Sequence, residues 1–354
     1  MPIQYRRIAD SRDLSERYGE RGEEKKMSQP RFFIPNRVSE EVIQFLQQYG
    51  DVDYRNKEEQ MAEEEFLDRL SKADALLCYS RQKINGRILE QAPQLKAVCN
   101  IAVGYDNFDL EELTKRGVMA TNTPGILTET TADLTFSILM AAARRVAEAD
   151  HYVKSGQWQE WFPSLMLGKD VFGATIGIIG MGRIGEAVAR RAKGFDMDIL
   201  YHNRSRKTDV EEELGASYVS LEQLLQQSDY VVVLTPLTDE TRKMIGEKEL
   251  ALMKKDAILV NASRGATVDE AALIQALQEK QIAGAALDVY EKEPVDPDNP
   301  LLKMPNVVTL PHIGSATKET RGKMAMKAAR NAVAAVSGEV PENLLNEEVL
   351  QNMK

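Results

Sequence analysis

The stretch that decides the fold is "ATIGIIGMGRIGEAVARRA", residues 174–192. An apolar run ends in Gly180, Gly182 and Gly185, spaced G-x-G-x-x-G, and a helical pattern with alanine, valine and charged residues follows directly. This spacing is informative because of its context, a strand entering a glycine turn that opens a helix. Gly180 permits the tight turn, Gly182 leaves room for a pyrophosphate, and Gly185 lets helix and strand pack closely. The amides at the helix start, those of Arg183 and Ile184 among them, then face phosphate charge. The stretch therefore predicts a dinucleotide cradle.

Outward from the cradle, strand and helix signals alternate along nearly the whole chain. Downstream, "DILYHN", "YVVVLTPL", "AILVNAS", "AGAALDVY" and "VVTLPHIG" read as strands. Upstream, "RFFIP", "ADALLCYS", "LKAVCNIAVG" and "VMATNTPG" do the same, with helical "SEEVIQFLQQYG", capped by Ser39 and stopped by Gly50, and "NGRILEQAP" between them. A βα rhythm of this kind predicts parallel sheets. Two such series in 354 residues predict an α/β protein of two doubly wound domains, with ligand at the carboxyl ends of the strands in a cleft between them. The segment "TETTADLTFSILMAAARRVAEADHYVKSG" reads as one long helix.

Composition narrows the class. A net charge of −10 argues against a nucleic-acid partner. No run approaches the ~18 apolar residues of a membrane span. Cys78 and Cys99 lie in apolar segments and read as buried, reduced thiols, which fits a cytoplasmic protein. Residues 1–26 are densely charged and read as a flexible tail, with Met27 as an alternative start. His151 and His202 lie in polar contexts and read as surface residues.

About twenty residues beyond the cradle, a site selective for NAD carries an acid that accepts hydrogen bonds from the adenosine ribose. This chain has "YHNRSRK", residues 201–207. Asn203, Arg204, Ser205 and Arg206 form a basic rim, suited to a 2′-phosphate and hence to NADP(H), with NAD(H) as a weaker possibility. A shift of one residue would make Arg206 rather than Arg204 the main phosphate ligand.

Three later residues follow strand ends and can converge on one sheet edge: Arg264 in "NASRG", Glu293 in "EKEP" and His312 in "LPHIGSA". Hydride transfer to a keto acid needs such a set. A cation holds the carboxylate and polarises the carbonyl, a histidine protonates the forming alkoxide, and a carboxylate orients the ring. No metal-ligand spacing accompanies them.

With these residues in place, the chain resembles the D-2-hydroxyacid dehydrogenases, in particular the glyoxylate/hydroxypyruvate reductase and 2-ketogluconate reductase branch. The resemblance runs from about residue 31 to the end and rests on "VGYDNFD", "TNTPGILTETTADL", "GIIGMGRIG", "NASRG", "LDVYEKEP" and "LPHIGSAT", in family order. It implies a Rossmann cofactor domain at 127–317 and a flavodoxin-like, discontinuous substrate domain at 27–126 and 318–354. It implies His312 as acid/base, Glu293 as its partner and Arg264 as substrate anchor. Backbone amides of Val103 and Gly104 would hold the substrate carboxylate, with Ser80 nearby. Thr131, Asp288, Ala262 and Gly314 would surround the nicotinamide, and Thr235, Pro236 and Leu237 the adenosine. A homodimer is implied, in which Trp161 reaches the partner's substrate site, and the aromatic density of "HYVKSGQWQEWFP" agrees with an interface.

The expected activity is reduction of a small 2-keto acid (glyoxylate, hydroxypyruvate or 2-ketogluconate). One alternative is NAD-dependent oxidation by a phosphoglycerate dehydrogenase, which should carry an acid after the second strand and often an added C-terminal domain. Another is a dinucleotide-sensing corepressor. A formate dehydrogenase is disfavoured, since glutamine typically replaces Glu293 there.

Overall fold

The computed structural model describes residues 29–59 and 61–351. The expected tail over residues 1–26 and the alternative start at Met27 lie outside the described residues. In chain order the elements are β1 (Arg31–Ile34), α1 (Glu40–Gln47), β2 (Asp51–Tyr54), α2 (Glu63–Leu70), β3 (Ala75–Cys78), α3 (Gly86–Glu90), β4 (Ala97–Asn100), α4 (Leu110–Lys115) and β5 (Met119–Thr121). Next come α5 (Thr128–Ala143), α6 (Val146–Lys154), β6 (Thr175–Ile179), α7 (Arg183–Lys193), β7 (Asp198–His202), α8 (Thr208–Leu214), β8 (Ser217–Tyr218) and α9 (Leu221–Gln227). The chain finishes with β9 (Tyr230–Val233), α10 (Glu247–Leu252), β10 (Ile258–Asn261), α11 (Glu270–Gln278), β11 (Gly284–Leu287), β12 (Val307–Thr309) and α12 (Lys318–Val336).

The chain divides into two compact units. One holds the described residues up to Ile126 together with those from Lys318 onward, and the other spans Leu127–Thr317. In the first, five parallel strands run in the order β2-β1-β3-β4-β5, the flavodoxin-like order. Its strands β3 and β4 are buried at every residue, as expected of parallel strands covered on both faces. Cys78 and Cys99 sit in them, free and fully buried, and burial pushes both thiols up. The register pairs Leu77 with Cys99, so Cys78 and Cys99 face opposite sides of the sheet. α12 packs across β3 and β4.

In the second unit seven parallel strands run β12-β11-β10-β9-β6-β7-β8. Counted from β6, this is the Rossmann order with one strand added. The order reverses between β6 and β9, and the ligand crevice of such a sheet lies at the carboxyl ends beside that reversal. α5 packs on α7 and across β10 and β11. Among the described residues, no helix is long and apolar enough to cross a membrane.

Four local expectations change. The long helix expected after residue 128 breaks into α5 and α6 at Arg145, whose φ is +53°. The break follows from packing. Gly168 lies against the carbonyl of Ala143, so close that a Cβ there would sit 2.4 Å from its oxygen, and the Lys169 amide donates to the same oxygen at 2.8 Å. Ser39 occupies the N-cap position of α1, yet its side chain makes no capping bond. Gly50 is fixed by a close approach to Pro30, where a Cβ would lie 2.0 Å from the carbonyl oxygen, rather than by a left-handed helix stop. His202 is half-buried. Its Nδ1 lies 3.0 Å from the Val219 carbonyl and its ring stacks on Tyr218.

Candidate active site

The phosphate cradle forms where β6 meets α7. Gly180 has φ +102°, and a Cβ on it would lie 2.8 Å from the Leu234 carbonyl carbon and 2.9 Å from the Thr235 nitrogen. Glycine at 180 thus brings the Leu234–Thr235 turn against the cradle. A Cβ on Gly185 would meet the Gly180 oxygen at 2.4 Å, which sets the close approach of helix and turn. Gly182, the N-cap of α7, has no atom within 4 Å of the same position, so the floor of the turn is open. The first helical amide to find a partner in this turn is that of Glu186, on the Gly182 carbonyl at 2.8 Å. The earlier amides, those of Arg183 and Ile184, belong to the set a helix start leaves unpaired. This donor set suits a pyrophosphate, and a dinucleotide fits the residues present.

The basic rim resolves into unequal members. Arg206 is bound bidentately by Glu211, with Nε 2.8 Å from Oε1 and Nη2 2.7 Å from Oε2. That hydrogen bond, with a second from Tyr201, holds the Glu211 carboxyl down at about 2. Tyr201 also accepts from the Lys207 amide at 2.7 Å, which closes the turn. Arg204 is exposed and makes no hydrogen bond or ion pair among the described residues. Asn203 donates to the Ser205 carbonyl at 3.1 Å. The structure therefore separates Arg204 from Arg206.

At the carboxyl ends of β10, β11 and the strand beyond, three loops meet. His312 Nδ1 lies 2.7 Å from Glu293 Oε2. The side chains keep 37% and 31% of their exposure, so a small molecule can reach the pair. Burial pushes the Glu293 carboxyl up, but its bond to His312, the His312 and Arg264 charges and the Tyr290 amide outweigh that, and the group stays below its usual range. Arg264 is half-buried and follows β10. Gly265 brings the Arg264 loop against the one carrying Glu293, since a Cβ on it would lie 1.8 Å from the Tyr290 carbonyl carbon. Asn261, buried at the end of β10, accepts from the Ser263 amide and donates to the Arg264 carbonyl, both within 3.1 Å.

His312 itself has φ +52°, a region costly for a residue with a side chain. Asp288, 1% exposed, holds the residue after it. Its Oδ1 accepts from the Ile313 amide at 2.7 Å. Burial raises the Asp288 carboxyl above its usual range. Gly314 closes the same corner, a Cβ there lying 3.2 Å from Asp288 Oδ2 and 3.4 Å from Thr131 Cγ2. Thr131, Asp288 and Gly314 thus converge. Ala262 is half-buried beside Arg264, Thr235 is half-buried and Pro236 exposed in the turn after β9.

Ser80, Val103 and Gly104 belong to the other unit, in the turns that follow β3 and β4, and all three are half-buried. Trp161 lies on the loop after α6, 69% exposed. Sequence reasoning did not single out Gly265, Asn261 or the Arg206–Glu211 pair. "NASRG" contained the first two, but nothing in it distinguishes a glycine of close approach from one of an ordinary turn.

Residues 136–314 match the NAD binding domain of the D-isomer specific 2-hydroxyacid dehydrogenases. The chain is 52% identical over 323 residues to a glyoxylate reductase of Korarchaeum cryptofilum, covering 91% of this chain and 97% of the relative. It is 51% identical to a glyoxylate reductase of Aeropyrum pernix, covering 92% and 98%. The chain belongs to the D-2-hydroxyacid dehydrogenase family. It is accordingly an oxidoreductase that links 2-hydroxy acids with 2-keto acids through a nicotinamide dinucleotide. Among solved structures it resembles a Thermus thermophilus protein, with a TM-score of 0.83 and 40% identity over 89% of this chain and 99% of that one. It also resembles an NADPH-dependent glyoxylate/hydroxypyruvate reductase from Sinorhizobium meliloti in complex with NADP and malonate, with a TM-score of 0.79 and 32% identity over 91% and 98%.

Proposed function

We propose that this protein reduces a small 2-keto acid, glyoxylate or hydroxypyruvate before 2-ketogluconate, to the D-2-hydroxy acid, with NADPH as the preferred cofactor. The observation that carries the reading is the 2.7 Å bond from His312 to Glu293 on the loop that Gly265 packs against Arg264. The names of the relatives and the structural neighbour that holds NADP support it.

When bound, the reduced nicotinamide supplies a hydride to the carbonyl carbon. The protein's own residues do the rest. With Glu293 accepting from Nδ1, His312 as imidazolium gives its Nε2 proton to the forming alkoxide and is left as the neutral Nδ1–H tautomer. Arg264 offers a planar cation to the carboxylate and carbonyl oxygens. The Val103 and Gly104 amides hold the carboxylate, and Ser80 borders it. Gly180, Gly182 and the first amides of α7 receive the pyrophosphate, and Thr131, Ala262, Asp288 and Gly314 border the nicotinamide. Arg204, with Ser205, takes the 2′-phosphate. The protein acts as a homodimer, with Trp161 contributed to the partner's substrate site.

The test is a panel of glyoxylate, hydroxypyruvate, 2-ketogluconate and pyruvate, each with NADPH and NADH, followed by loss of nicotinamide absorbance. Turnover of glyoxylate or hydroxypyruvate with NADPH is expected. No turnover of any 2-keto acid with either nucleotide would overturn the reading.

A further inference from the structure

The loop after β4, residues 101–107, is held in an unusual way. The carbonyl of Ala102 accepts from the Thr123 amide at 2.9 Å. The carbonyl of Val103 accepts from Asn122 Nδ2 at 2.7 Å, and that of Gly104 from Asn100 Nδ2 at 2.7 Å. Three successive carbonyls are thus drawn toward the ends of β4 and β5. None of these peptide bonds is cis. In a trans peptide the N–H of the next residue points opposite to the carbonyl. The amides of Val103 and Gly104 are therefore turned away from the groups that grip the loop, and neither finds a partner among the described residues.

The two asparagines are fixed in turn. Asn100 is fully buried, and its Nδ2 also donates to Asn107 Oδ1 at 3.1 Å, so two acceptors set the orientation of its amide. Asn107 donates onward to the Gln82 carbonyl at 2.9 Å. Asn122 is 7% exposed. Its backbone carbonyl accepts from Asn331 Nδ2 at 3.2 Å and its amide donates to the Asn343 carbonyl at 3.4 Å. The C-terminal part of the unit thereby fixes Asn122. An apolar side chain at either position would leave a loop carbonyl without its donor, and the peptide plane would be free to turn.

We infer that Asn100 and Asn122 are positioning residues for substrate binding. Asn122 orients the Val103–Gly104 peptide plane and Asn100 the Gly104–Tyr105 plane beside it, while the Thr123 amide holds the Ala102–Val103 plane, so that adjacent amides present a ready-made site for the carboxylate of the 2-keto acid. The inference rests on the proposed function, which assigns that carboxylate to Val103 and Gly104.

The experiment uses the full chain with saturating cofactor, glyoxylate as substrate and oxalate as a competitive probe. Asn100→Ala and Asn122→Ala are expected to raise the glyoxylate KM and the oxalate inhibition constant on the order of tenfold, the scale of one lost buried hydrogen bond. They should lower kcat by less than they raise KM and leave cofactor affinity unchanged. Asn122→Ser serves if Asn122→Ala does not fold. Asn346→Ala is the control. Asn346 is an equally buried asparagine of the same unit, bonded to the Ala120 amide and the Val118 carbonyl and not to the loop. That variant should lose thermal stability with KM unchanged. The inference is overturned if folded Asn100 and Asn122 variants keep the wild-type KM, or if Asn346→Ala raises KM as much as they do. Wild-type protein that reduces no 2-keto acid would overturn the proposed function and this inference together, so the two failures are distinguishable.

Discussion

Glu293 uses both carboxylate oxygens to fix His312, Oε2 on Nδ1 at 2.7 Å and Oε1 on the Tyr290 amide at 3.1 Å. The second bond matters as much as the first, because it stops the carboxylate from turning with the ring. A histidine held in this way has one rotamer and one tautomer available, with Nε2 left for chemistry.

From this arrangement His312→Gln should lower kcat by about 10²–10⁴, the usual range for loss of a general acid, with cofactor affinity nearly intact. Glu293→Gln keeps an acceptor for Nδ1 but loses the charge, and its effect should be smaller. Steady-state turnover together with cofactor titration checks both. A His312→Gln enzyme with wild-type kcat would remove this residue from the proton path.

Asp53 gives a second test, on stability. Its carboxylate, with 8% of the side chain exposed, accepts from Arg31 Nη2 at 2.8 Å and from Arg69 Nε at 3.0 Å. Burial pushes the group up, but the bonds and charges of Arg69 and Arg31 prevail and its carboxyl lies below the usual range. Because the folded value is depressed, the stabilisation is complete above the unfolded value of about 3.9 and is lost as pH falls through the folded one. Asp53→Asn should therefore cost stability at pH 7, and its deficit should shrink as pH falls below about 4. Thermal midpoints of both proteins between pH 3 and 7 measure this. A deficit independent of pH would show that the charge is not the cause.

Much of this molecule could be read from the sequence, and the parts that could not have a common cause. Strands β3, β4, β6, β9 and β10 are largely apolar, as two-sided burial demands, with polar residues only at their ends (Asn100, Thr175 and Asn261 among them), and they stand out in any reading. β2 is "DVDY", an edge strand whose polar residues resemble a loop, and it went unread. His312 and Glu293 were recognisable because their types and their places after strands fit one chemistry, and the structure pairs them. The break at Arg145 was not, because it depends on Gly168 and Lys169 more than twenty residues away meeting the end of α5. Likewise, Arg204 and Arg206 look alike in sequence. Only Glu211, one turn into the next helix, separates them.

The loop after α6 leads to a test of assembly. Trp158, Trp161, Phe162 and Leu167 are 53%, 69%, 45% and 67% exposed, and Val146 and Val153 of α6 add 54% and 53%. This is a concentration of large apolar side chains that a single chain does not cover, of the kind found at interfaces. Sedimentation should show a dimer, and Trp161→Ala should weaken dimerisation or raise the keto-acid KM. A wild-type monomer at working concentration would refute the assembly.

The rim beyond β7 carries the last prediction. NADPH should be preferred over NADH by at least ~10-fold in kcat/KM, about 1.4 kcal/mol of transition-state binding. One charge-assisted hydrogen bond contributes roughly 1.5–3 kcal/mol, so a single arginine suffices. Arg204 is placed to be that arginine, because Arg206 would first have to leave a bidentate carboxylate. Arg204→Ala should therefore abolish most of the preference, and Arg206→Ala should reduce it less. Asn203→Asp combined with Arg204→Ala should invert it, since the new carboxylate accepts from the ribose hydroxyls and repels a 2′-phosphate. Binding of 2′,5′-ADP, measured by calorimetry alongside kcat/KM for both nucleotides, separates phosphate recognition from effects on turnover. If Arg206→Ala costs more 2′,5′-ADP affinity than Arg204→Ala, the pair with Glu211 opens on binding and Arg206 is the phosphate ligand. If wild type prefers NADH, the rim is a solvated loop and the NADP assignment fails.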